Sequence, residues 1–197
     1  MTEEQAGLLE RAWRELEQAA NQRRHGFHLG VLANSTPLGP DARTVVLRGV
    51  ERGDRILRFH SDVRSGKFKS LQSGDRVAWV FQCPQIKLQV RANGVIGIHT
   101  QGNLADEAWA ATQLLSRRCY LAEPGPGTSV PFPSSGLPEE LVDREPTVEE
   151  SCAGREHFCV ALTHVDRLDV YCLAYEGHRR CHFTFEGKAW QADWRIP

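Results

Sequence analysis

Three side chains suited to phosphate binding lie close together in the first third of the chain. Arg43 begins a run of β-type residues, while Ser65 and Lys67 begin a short segment of helical character after a later β-type run. A guanidinium, an ammonium, a hydroxyl and free backbone N–H groups are the donors that hold phosphate at a helix N-terminus. The pattern predicts a local anion site. The alternative is an arginine and a lysine on an ordinary solvated surface.

A second arginine, Arg48, follows Arg43 on the same predicted strand. Side chains alternate along a strand, so residues five apart should point to opposite faces. Both guanidiniums can therefore reach one ligand only through a bulge or at the strand ends.

These residues require a β-rich scaffold. Strand-like runs bounded by turn residues are typical of antiparallel hairpins, and Asn34 to Pro40 predicts a hairpin with a longer loop. Residues 88–98 alternate between polar and apolar side chains, as in a strand with one buried face. The predicted strands are 27–33, 43–50, 55–61, 77–82, 88–98, 157–162, 167–175, 180–185 and 189–195.

Two longer amphipathic patterns predict helices, at residues 3–24 with a Thr2/Gln5 capping box and at residues 104–120. Residues 65–74 predict a short helix. The Pro/Gly-rich residues 122–155 predict a loop-rich insertion, either a mobile lid or a partly disordered surface segment. Together the elements indicate a mainly β fold: one domain, 1–197, built as an antiparallel barrel or sandwich with an N-terminal helix (1–25) and a second packing helix.

Composition excludes several function classes. The 24 basic and 25 acidic residues give a net charge of -1, so no overall field recruits nucleic acid or an anionic membrane. No apolar run reaches membrane-spanning length and no signal peptide precedes the first helix, which predicts a soluble, cytoplasmic protein. Six scattered cysteines and eight scattered histidines show no metal-ligand spacing, so no metal is expected. We expect reduced thiols, and we expect Trp109, Trp190 and Trp194 to be core anchors.

Several short motifs, taken in order, carry a family resemblance. They are Arg43-Thr-Val-Val-Leu-Arg48, Phe59-His-Ser61 with Ser65-x-Lys67, Gln89-Val-Arg-x-x-Gly94, and His178-Arg-Arg180 with Trp190 and Pro197. Together they resemble the pyridoxamine 5'-phosphate oxidase family, most closely its cyanobacterial-type, oxidase-like flavoprotein branch. The resemblance covers about residues 26–120 and 155–197.

The resemblance implies an FMN-binding split β-barrel that works as a homodimer with FMN at the subunit interface. It implies that the phosphate and ribityl chain contact Arg43, Ser61, Ser65 and Lys67, and that Gln89 bonds the polar edge of the flavin. Arg180 resembles an arginine that reaches FMN across the interface. The full implied cofactor set is Arg43, Val45, Val46, Leu47, Arg48, His60, Ser61, Ser65, Gly66, Lys67, Gln89 and Arg180.

The chain departs from the family pattern around the substrate. Gly66 replaces a basic residue, and His60-Ser61 replaces a Tyr-Thr pair. The family holds its substrate phosphate with Lys, Tyr, Arg and Ser, and the positions here are Arg48, Gln113, Arg117 and Leu121. Only the two cationic positions persist, and Arg48 and Arg117 could still clamp an anion, with His178 near the same substrate side. Because two hydroxyls are lost and arginine differs from lysine in geometry, we expect a different small-molecule substrate or weak oxidase activity.

His178 lies in the substrate-side motif and is either a catalytic candidate or a plain turn histidine. The resemblance predicts an FMN-dependent oxidoreductase. An FMN reductase-like enzyme with a nicotinamide donor is one alternative, and a non-catalytic FMN- or haem-binding carrier or sensor is the other. A haem carrier would favour His25, His60 or His182 as an axial ligand.

Overall fold

A computed structural model describes all 197 residues except the side chain of Lys69. The α-helices are α1 (Glu3–Asn21), α2 (Asn103–Ala111), α3 (Leu114–Arg117) and α4 (Val148–Ser151). The strands are β1 (Leu29–Thr36), β2 (Gly39–Val46), β3 (Gly49–Glu51), β4 (Ile56–Asp62), β5 (Arg76–Cys83), β6 (Leu88–His99), β7 (Phe158–Cys172), β8 (Arg179–Glu186) and β9 (Ala189–Arg195). Four 3₁₀ helices span Gly66–Lys69, Arg118–Leu121, Glu139–Leu141 and Cys152–His157.

The nine strands form one sheet with the order β2-β1-β5-β6-β7-β4-β3, to which β8 adds on β7 and β9 on β8. The β1/β2, β1/β5, β3/β4, β5/β6, β7/β8 and β8/β9 pairs are all antiparallel. Over the described backbone the path does not return from β3 to β2, so the sheet is open, as in a split barrel. The predicted mainly β, antiparallel fold with packing helices is confirmed.

The chain divides into two compact units. The larger unit comprises 1–59, 73–97 and 162–197, and the smaller unit comprises 60–72 and 98–161. The single domain inferred from the sequence remains a prediction. None of the described helices combines the length and apolar content that a membrane-spanning helix needs.

The core of the larger unit includes the apolar face of α1. Leu9, Trp13 and Leu16 are buried, and the predicted capping box between Thr2 and Gln5 is present. The buried indole of Trp79 donates from Nε1 to Thr163 Oγ1 at 3.0 Å, so its polar atom is satisfied inside the core.

The core of the smaller unit is an aromatic cluster. Trp109, Tyr120 and Phe158 meet edge to face, with ring centroids 5.2–5.6 Å apart. This geometry is the favoured one for aromatic quadrupoles. It confirms Trp109 as a core anchor, whereas Trp194, in the larger unit, is 41% exposed, so the same prediction was wrong for Trp194.

The first hairpin is tighter than predicted. β1 and β2 pair as far as Thr36 opposite Gly39, which leaves a two-residue turn. Gly39 has φ +113°, a conformation that favours glycine, and the Thr36 hydroxyl donates to Gly39 O at 2.7 Å. The predicted longer loop was therefore wrong.

The predicted strand 43–50 is two strands because the chain changes its pairing partner. Leu47 N donates to His28 O at 2.9 Å, and the next amide, Arg48 N, donates to Arg58 O at 2.7 Å. The first bond continues from the β1/β2 pair, and the second leads into the β3/β4 pair. Arg43 and Arg48 thus lie on either side of a strand break.

Two predicted strands, 157–162 and 167–175, are one strand of 15 residues, β7. The intervening Thr163 and Val165 are 0% and 1% exposed, so this stretch continues the buried sheet and is not a turn. Val165 N also donates to Arg55 O at 2.8 Å. The strand continues through Thr163 and Asp166 because their side-chain partners, Trp79 and Arg76, lie far away in sequence.

The predicted helix 104–120 ends early, with α2 stopping at Ala111. Arg117 folds back and donates to Thr112 O and Ala110 O, both at 3.0 Å. These bonds satisfy carbonyls at the end of α2 and fix the break. Within residues 122–155 the chain forms α4 and further short helices, with a capping box between Thr147 and Glu150, so this segment is more structured than predicted.

Candidate functional site

The guanidinium of Arg43 lies over the β1/β2 hairpin of the larger unit. It donates to the side chains of Asn34 and Asp41 and to Leu32 O at 3.4 Å. Asn34 is buried, which fixes the arginine against the sheet, whereas the Asp41 side chain is 54% exposed. An anion can therefore compete with Asp41 for a guanidinium that is already oriented.

Ser65 and Lys67, the other two predicted phosphate ligands, lie in the smaller unit. Ser65 Oγ donates to Asp62 O at 2.7 Å, and Lys67 Nζ donates to Ser65 Oγ at 3.0 Å. Ser61 and Ser65 are both buried, and Ser65 is the N-cap residue of a 3₁₀ helix without a side-chain capping bond. The helix is shorter than the predicted 65–74, yet the ammonium and hydroxyl are adjacent as a phosphate site requires.

A carboxylate–guanidinium pair shapes the loop before Ser65. Arg64 donates to the buried Asp62 carboxylate from Nη2 at 2.8 Å, and the Arg64 backbone N–H donates to the same carboxylate at 2.8 Å. The hydrogen bond to Asp62 is the main cause of a raised Arg64 pKa, and Glu123 adds to it. Arg64 is thus held by protein carboxylates and orders the loop.

Cys159 lies within electrostatic range of Lys67 in the smaller unit. Burial raises the pKa of its thiol to about 12, and the positive charge of Lys67 offsets only part of this. Burial therefore favours the neutral thiol over the thiolate at physiological pH.

Arg180 is oriented by Asp169 on the neighbouring strand. Arg180 Nε and Nη2 donate to the two oxygens of Asp169 at 3.0 and 2.8 Å. Arg91 Nη1 and His182 Nε2 also approach the carboxylate, at 3.3 and 3.2 Å. The four residues come from β6, β7 and β8 of the larger unit, and together we call them the Asp169 cluster.

The pKa of Asp169 reflects two opposing effects. Burial raises it, but the hydrogen bond from Arg180 and the charges of His182, Arg180 and Arg91 outweigh burial, so the pKa lies below its ordinary value. Asp169 is therefore ionised and holds its cations in place over the neutral range.

Residues 8–100 match the family model described as pyridoxamine 5'-phosphate oxidase, FMN-binding domain. The chain is 37% identical over 68 residues to the pyridoxine/pyridoxamine 5'-phosphate oxidase of Rubrobacter xylanophilus, a match that covers 34% of this chain and 30% of that protein. Residues 8–100 are thus similar to the FMN-binding domain of the pyridoxamine 5'-phosphate oxidase family. The resemblance to this family that the ordered motifs predicted is confirmed.

Two solved structures share the fold. A pyridoxamine 5'-phosphate oxidase-related FMN-binding protein from Nostoc punctiforme has a TM-score of 0.72 at 21% identity, covering 94% of this chain and 96% of that chain. PhzG from Burkholderia lata, solved with tetrahydrophenazine-1-carboxylic acid, has a TM-score of 0.68 at 14% identity, covering 96% and 92%. At such identities the likeness establishes the fold alone.

The other predicted cofactor contacts are placed individually. Val45 and Leu47 are buried, Val46 is half-buried, and Gln89 is half-buried opposite Gln82 on β5. In the smaller unit, His60 is half-buried with its ring edge to face against Phe158, and Gly66 is exposed. Assignment of each to FMN remains a prediction.

Arg117 does not have the environment of a substrate clamp. Its side chain is buried, and besides the two carbonyls at the end of α2 it donates to Ser151 Oγ at 3.2 Å and lies 5.0 Å from the Trp109 ring. This family position is therefore built into the protein core. Arg48 is exposed. The predicted binding of one anion by these two arginines remains a prediction.

His178 lies in the turn before β8, exposed, with its ring 5.6 Å from that of Tyr171. His182, which sequence reasoning named only as a possible haem ligand, instead joins Arg180 on Asp169. The signal was available: Arg180 and His182 are two residues apart on a strand and share a face. Their partner Asp169, eleven residues away from Arg180, could not be identified without the β7/β8 register.

His25 is not positioned as a haem ligand. Its Nε2 lies 3.2 Å from Glu15 Oε2, its Nδ1 accepts from Phe27 N at 3.1 Å, and its side chain is 10% exposed. Both ring nitrogens are thus used within the larger unit.

Proposed function

We propose that this chain is an FMN-binding flavoprotein oxidoreductase that acts as a homodimer on a small molecule other than pyridoxamine 5'-phosphate. The observation that carries the proposal is the match of residues 8–100 to an FMN-binding domain model, within which lie Arg43, Ser65 and Lys67. A reductase using a nicotinamide donor and a carrier without turnover are the alternatives that the experiments below separate.

The donor set suits the FMN phosphate. Arg43 supplies a fixed guanidinium, Lys67 an ammonium in contact with the Ser65 hydroxyl, and Ser61 a second buried hydroxyl. Charge-assisted hydrogen bonds of this kind contribute roughly 1.5–3 kcal/mol each, so a few provide much of the 8 kcal/mol or so behind micromolar affinity. Gln89 would bond the polar edge of the flavin, and backbone of Val45 to Leu47 would line the ring.

FMN bound in this way supplies the redox chemistry, accepting or donating a hydride. The protein contributes binding, orientation and exclusion of water. Asp169 holds Arg180 by two hydrogen bonds, so a guanidinium able to donate further hydrogen bonds is preorganised on the sheet. His178, which is exposed in the turn before β8, is a weaker catalytic candidate than Arg180.

A homodimer is supported by the outer face of β1. Leu29 and Val31 are 55% and 39% exposed there, and Val46 on β2 and Val80 on β5 are their half-exposed partners in register. A contiguous apolar patch on an exposed sheet face is typical of a protein–protein interface. The proposal is that the partner copy covers this patch and that Arg180 faces FMN bound across it.

The substrate is proposed to lack the 5'-phosphate of the vitamin. Arg117 is saturated by core acceptors, and the Tyr and Ser positions are Gln113 and Leu121. We expect pyridoxamine 5'-phosphate to be oxidised slowly or not at all, as measured by product formation with FMN-loaded protein.

The experiment that tests cofactor binding is a titration of purified protein with FMN, followed by the visible spectrum and by quenching of flavin fluorescence. We expect a flavin spectrum and a rise in melting temperature. Protein that stays colourless and shows no thermal shift would refute the proposal. A Soret band after addition of haem, without flavin binding, would favour the carrier.

The clamp is tested by Lys67→Ala and Arg43→Ala, each expected to weaken FMN binding about tenfold or more because a charge-assisted hydrogen bond is lost. Lys188→Ala, in the exposed β8/β9 turn, is the matched control. Circular dichroism checks that the fold is retained. Unchanged affinity in both clamp variants would show that the phosphate lies elsewhere.

A further inference from the structure

A groove runs along α1. None of its lining residues belongs to the set proposed to hold FMN, although one of them, Arg179, precedes Arg180 on β8. The groove has a volume of about 280 Å³ and lies within the larger unit, between α1 and the ends of β7, β8 and β9. The residues that matter are Glu4, Gly7, Leu8, Arg11, Arg179 and Trp194. The volume is close to the lower end of the range for small-molecule sites.

Gly7 forms part of the groove and lowers the stability of α1. It lies inside α1, where glycine is less stable than alanine. Packing does not require it, since a Cβ at this position would meet nothing within 4 Å. The missing side chain therefore leaves space on the helix surface, and that space is the opening of the groove.

The apolar side of the groove is provided by Trp194 and Leu8. Trp194 is 41% exposed and Leu8 is half-buried, so an indole and an isobutyl group remain accessible together. Aromatic side chains favour flat rings as partners. This surface therefore suits a planar apolar group.

The polar side is provided by two guanidiniums. Arg11 is oriented by donating to Ile86 O at 2.7 Å and to Cys172 Sγ at 3.4 Å. Arg179 Nη1 pairs with Glu4 Oε1 at 2.9 Å. Each guanidinium has five N–H donors, so both keep donors for a further acceptor. Two arginines against one glutamate leave a positive excess.

Glu4 indicates which acceptor fits. Its carboxylate already binds Arg179, but the two side chains are 57% and 55% exposed, and such exposed pairs are weak. A ligand carboxylate could replace Glu4 at little cost. We propose that this groove binds a small aromatic carboxylate, with its ring at Gly7 and Trp194 and its carboxylate on Arg11 and Arg179.

The test is a titration of ¹⁵N-labelled, FMN-supplemented protein with benzoate, followed by the resonances of the Gly7 amide and the Trp194 indole N–H. Both should shift in a saturable way. Benzamide has the same ring without the charge and should bind about tenfold more weakly, because a charge-assisted hydrogen bond is lost. Equal affinity for benzoate and benzamide, or no shift at either group, would overturn the proposal.

Three variants with stated directions and one control variant, Gly7→Ala, extend the test. Gly7→Leu should abolish benzoate binding by filling the groove, Arg179→Gln should weaken it about tenfold, and Glu4→Gln should tighten it by removing the internal competitor. Gly7→Ala, which should raise the melting temperature, shows that α1 tolerates a side chain here. Benzoate binding unchanged by Gly7→Leu, or no tighter in Glu4→Gln, would count against the groove. The chemical shifts of Gly7 and Trp194 do not depend on FMN affinity. The groove proposal can therefore fail while the proposed FMN function stands, and the reverse also holds.

Discussion

At the scale of single residues, the hydrogen-bond partners of an arginine decide how its guanidinium is oriented in this protein. Arg43 is fixed by Asn34, Arg180 by Asp169 and Arg64 by Asp62. An arginine whose rotamer is already set loses less entropy when it binds an anion. The sequence shows which residues carry charge, whereas their partners determine which of them can act.

Asp169→Asn should reduce the acid sensitivity of the fold. The folded pKa lies below the ordinary value of 3.8. The folded state therefore binds this proton less readily than the unfolded chain, and Asp169 stabilises the fold above about pH 4. That contribution is lost as the pH falls through the folded pKa. The free energy of unfolding in urea should fall less steeply below about pH 5 in the variant than in the native protein.

The same variant should weaken FMN binding if Asp169 orients Arg180. Arg195→Gln, on the exposed end of β9, is the control with one altered charge in the same sheet. Parallel pH profiles of unfolding for Asp169→Asn and the native chain would contradict the assigned role of the carboxylate.

Arg117→Ala should destabilise the fold by about 2–3 kcal/mol, because charged hydrogen bonds are lost and buried acceptors are left unpaired. Arg48→Ala, at an exposed position, should change stability by less than about 0.5 kcal/mol. Urea unfolding at neutral pH measures both. If the two variants lost equal stability, the structural role of Arg117 would have to be abandoned.

At the scale of elements, the pairing partners of the strands explain strand boundaries that the local sequence pattern did not predict. β2 ends where the chain passes from β1 to β4, and β7 continues through polar residues because they face buried partners. Gly94, in the motif that begins at Gln89, lies where β6 approaches β7 closely. A Cβ there would lie 2.2 Å from His164 O.

Gly94→Ala should therefore destabilise the protein by about 2 kcal/mol or more, since backbone has to move to admit the methyl group. Gly53→Ala is the matched control, because a Cβ at Gly53 meets nothing within 4 Å. Thermal unfolding of the two variants side by side checks the difference. A Gly94→Ala variant as stable as Gly53→Ala would show that the strands can separate freely.

At the scale of the whole molecule, the apolar face of β1 bears on assembly. Replacing Val31 with Glu places a charge in the proposed interface and should shift the protein to monomer in analytical ultracentrifugation, with weaker FMN binding. Leu38→Glu, in the fully exposed β1/β2 turn, should leave both unchanged. A native protein that sediments as a monomer while binding FMN would rule out a shared site.

The sequence by itself determined the features that depend on neighbours along the chain. The capping box of α1, the alternation of β6 and the residue types of the predicted clamp are local, so short-range periodicity and spacing revealed them. The order and spacing of those residue types also carried the resemblance to the family whose FMN-binding domain model matches residues 8–100.

Only the tertiary structure decided how the charged residues are used. Arg91 and Asp169 are 78 positions apart, and Arg117 and Ser151 are 34 apart. No local pattern encodes such pairs, because sheet register and chain reversal bring them together. The same arginine type is thus a core brace at Arg117 and an exposed side chain at Arg48, and the physical reason is which acceptors the fold places within hydrogen-bond distance.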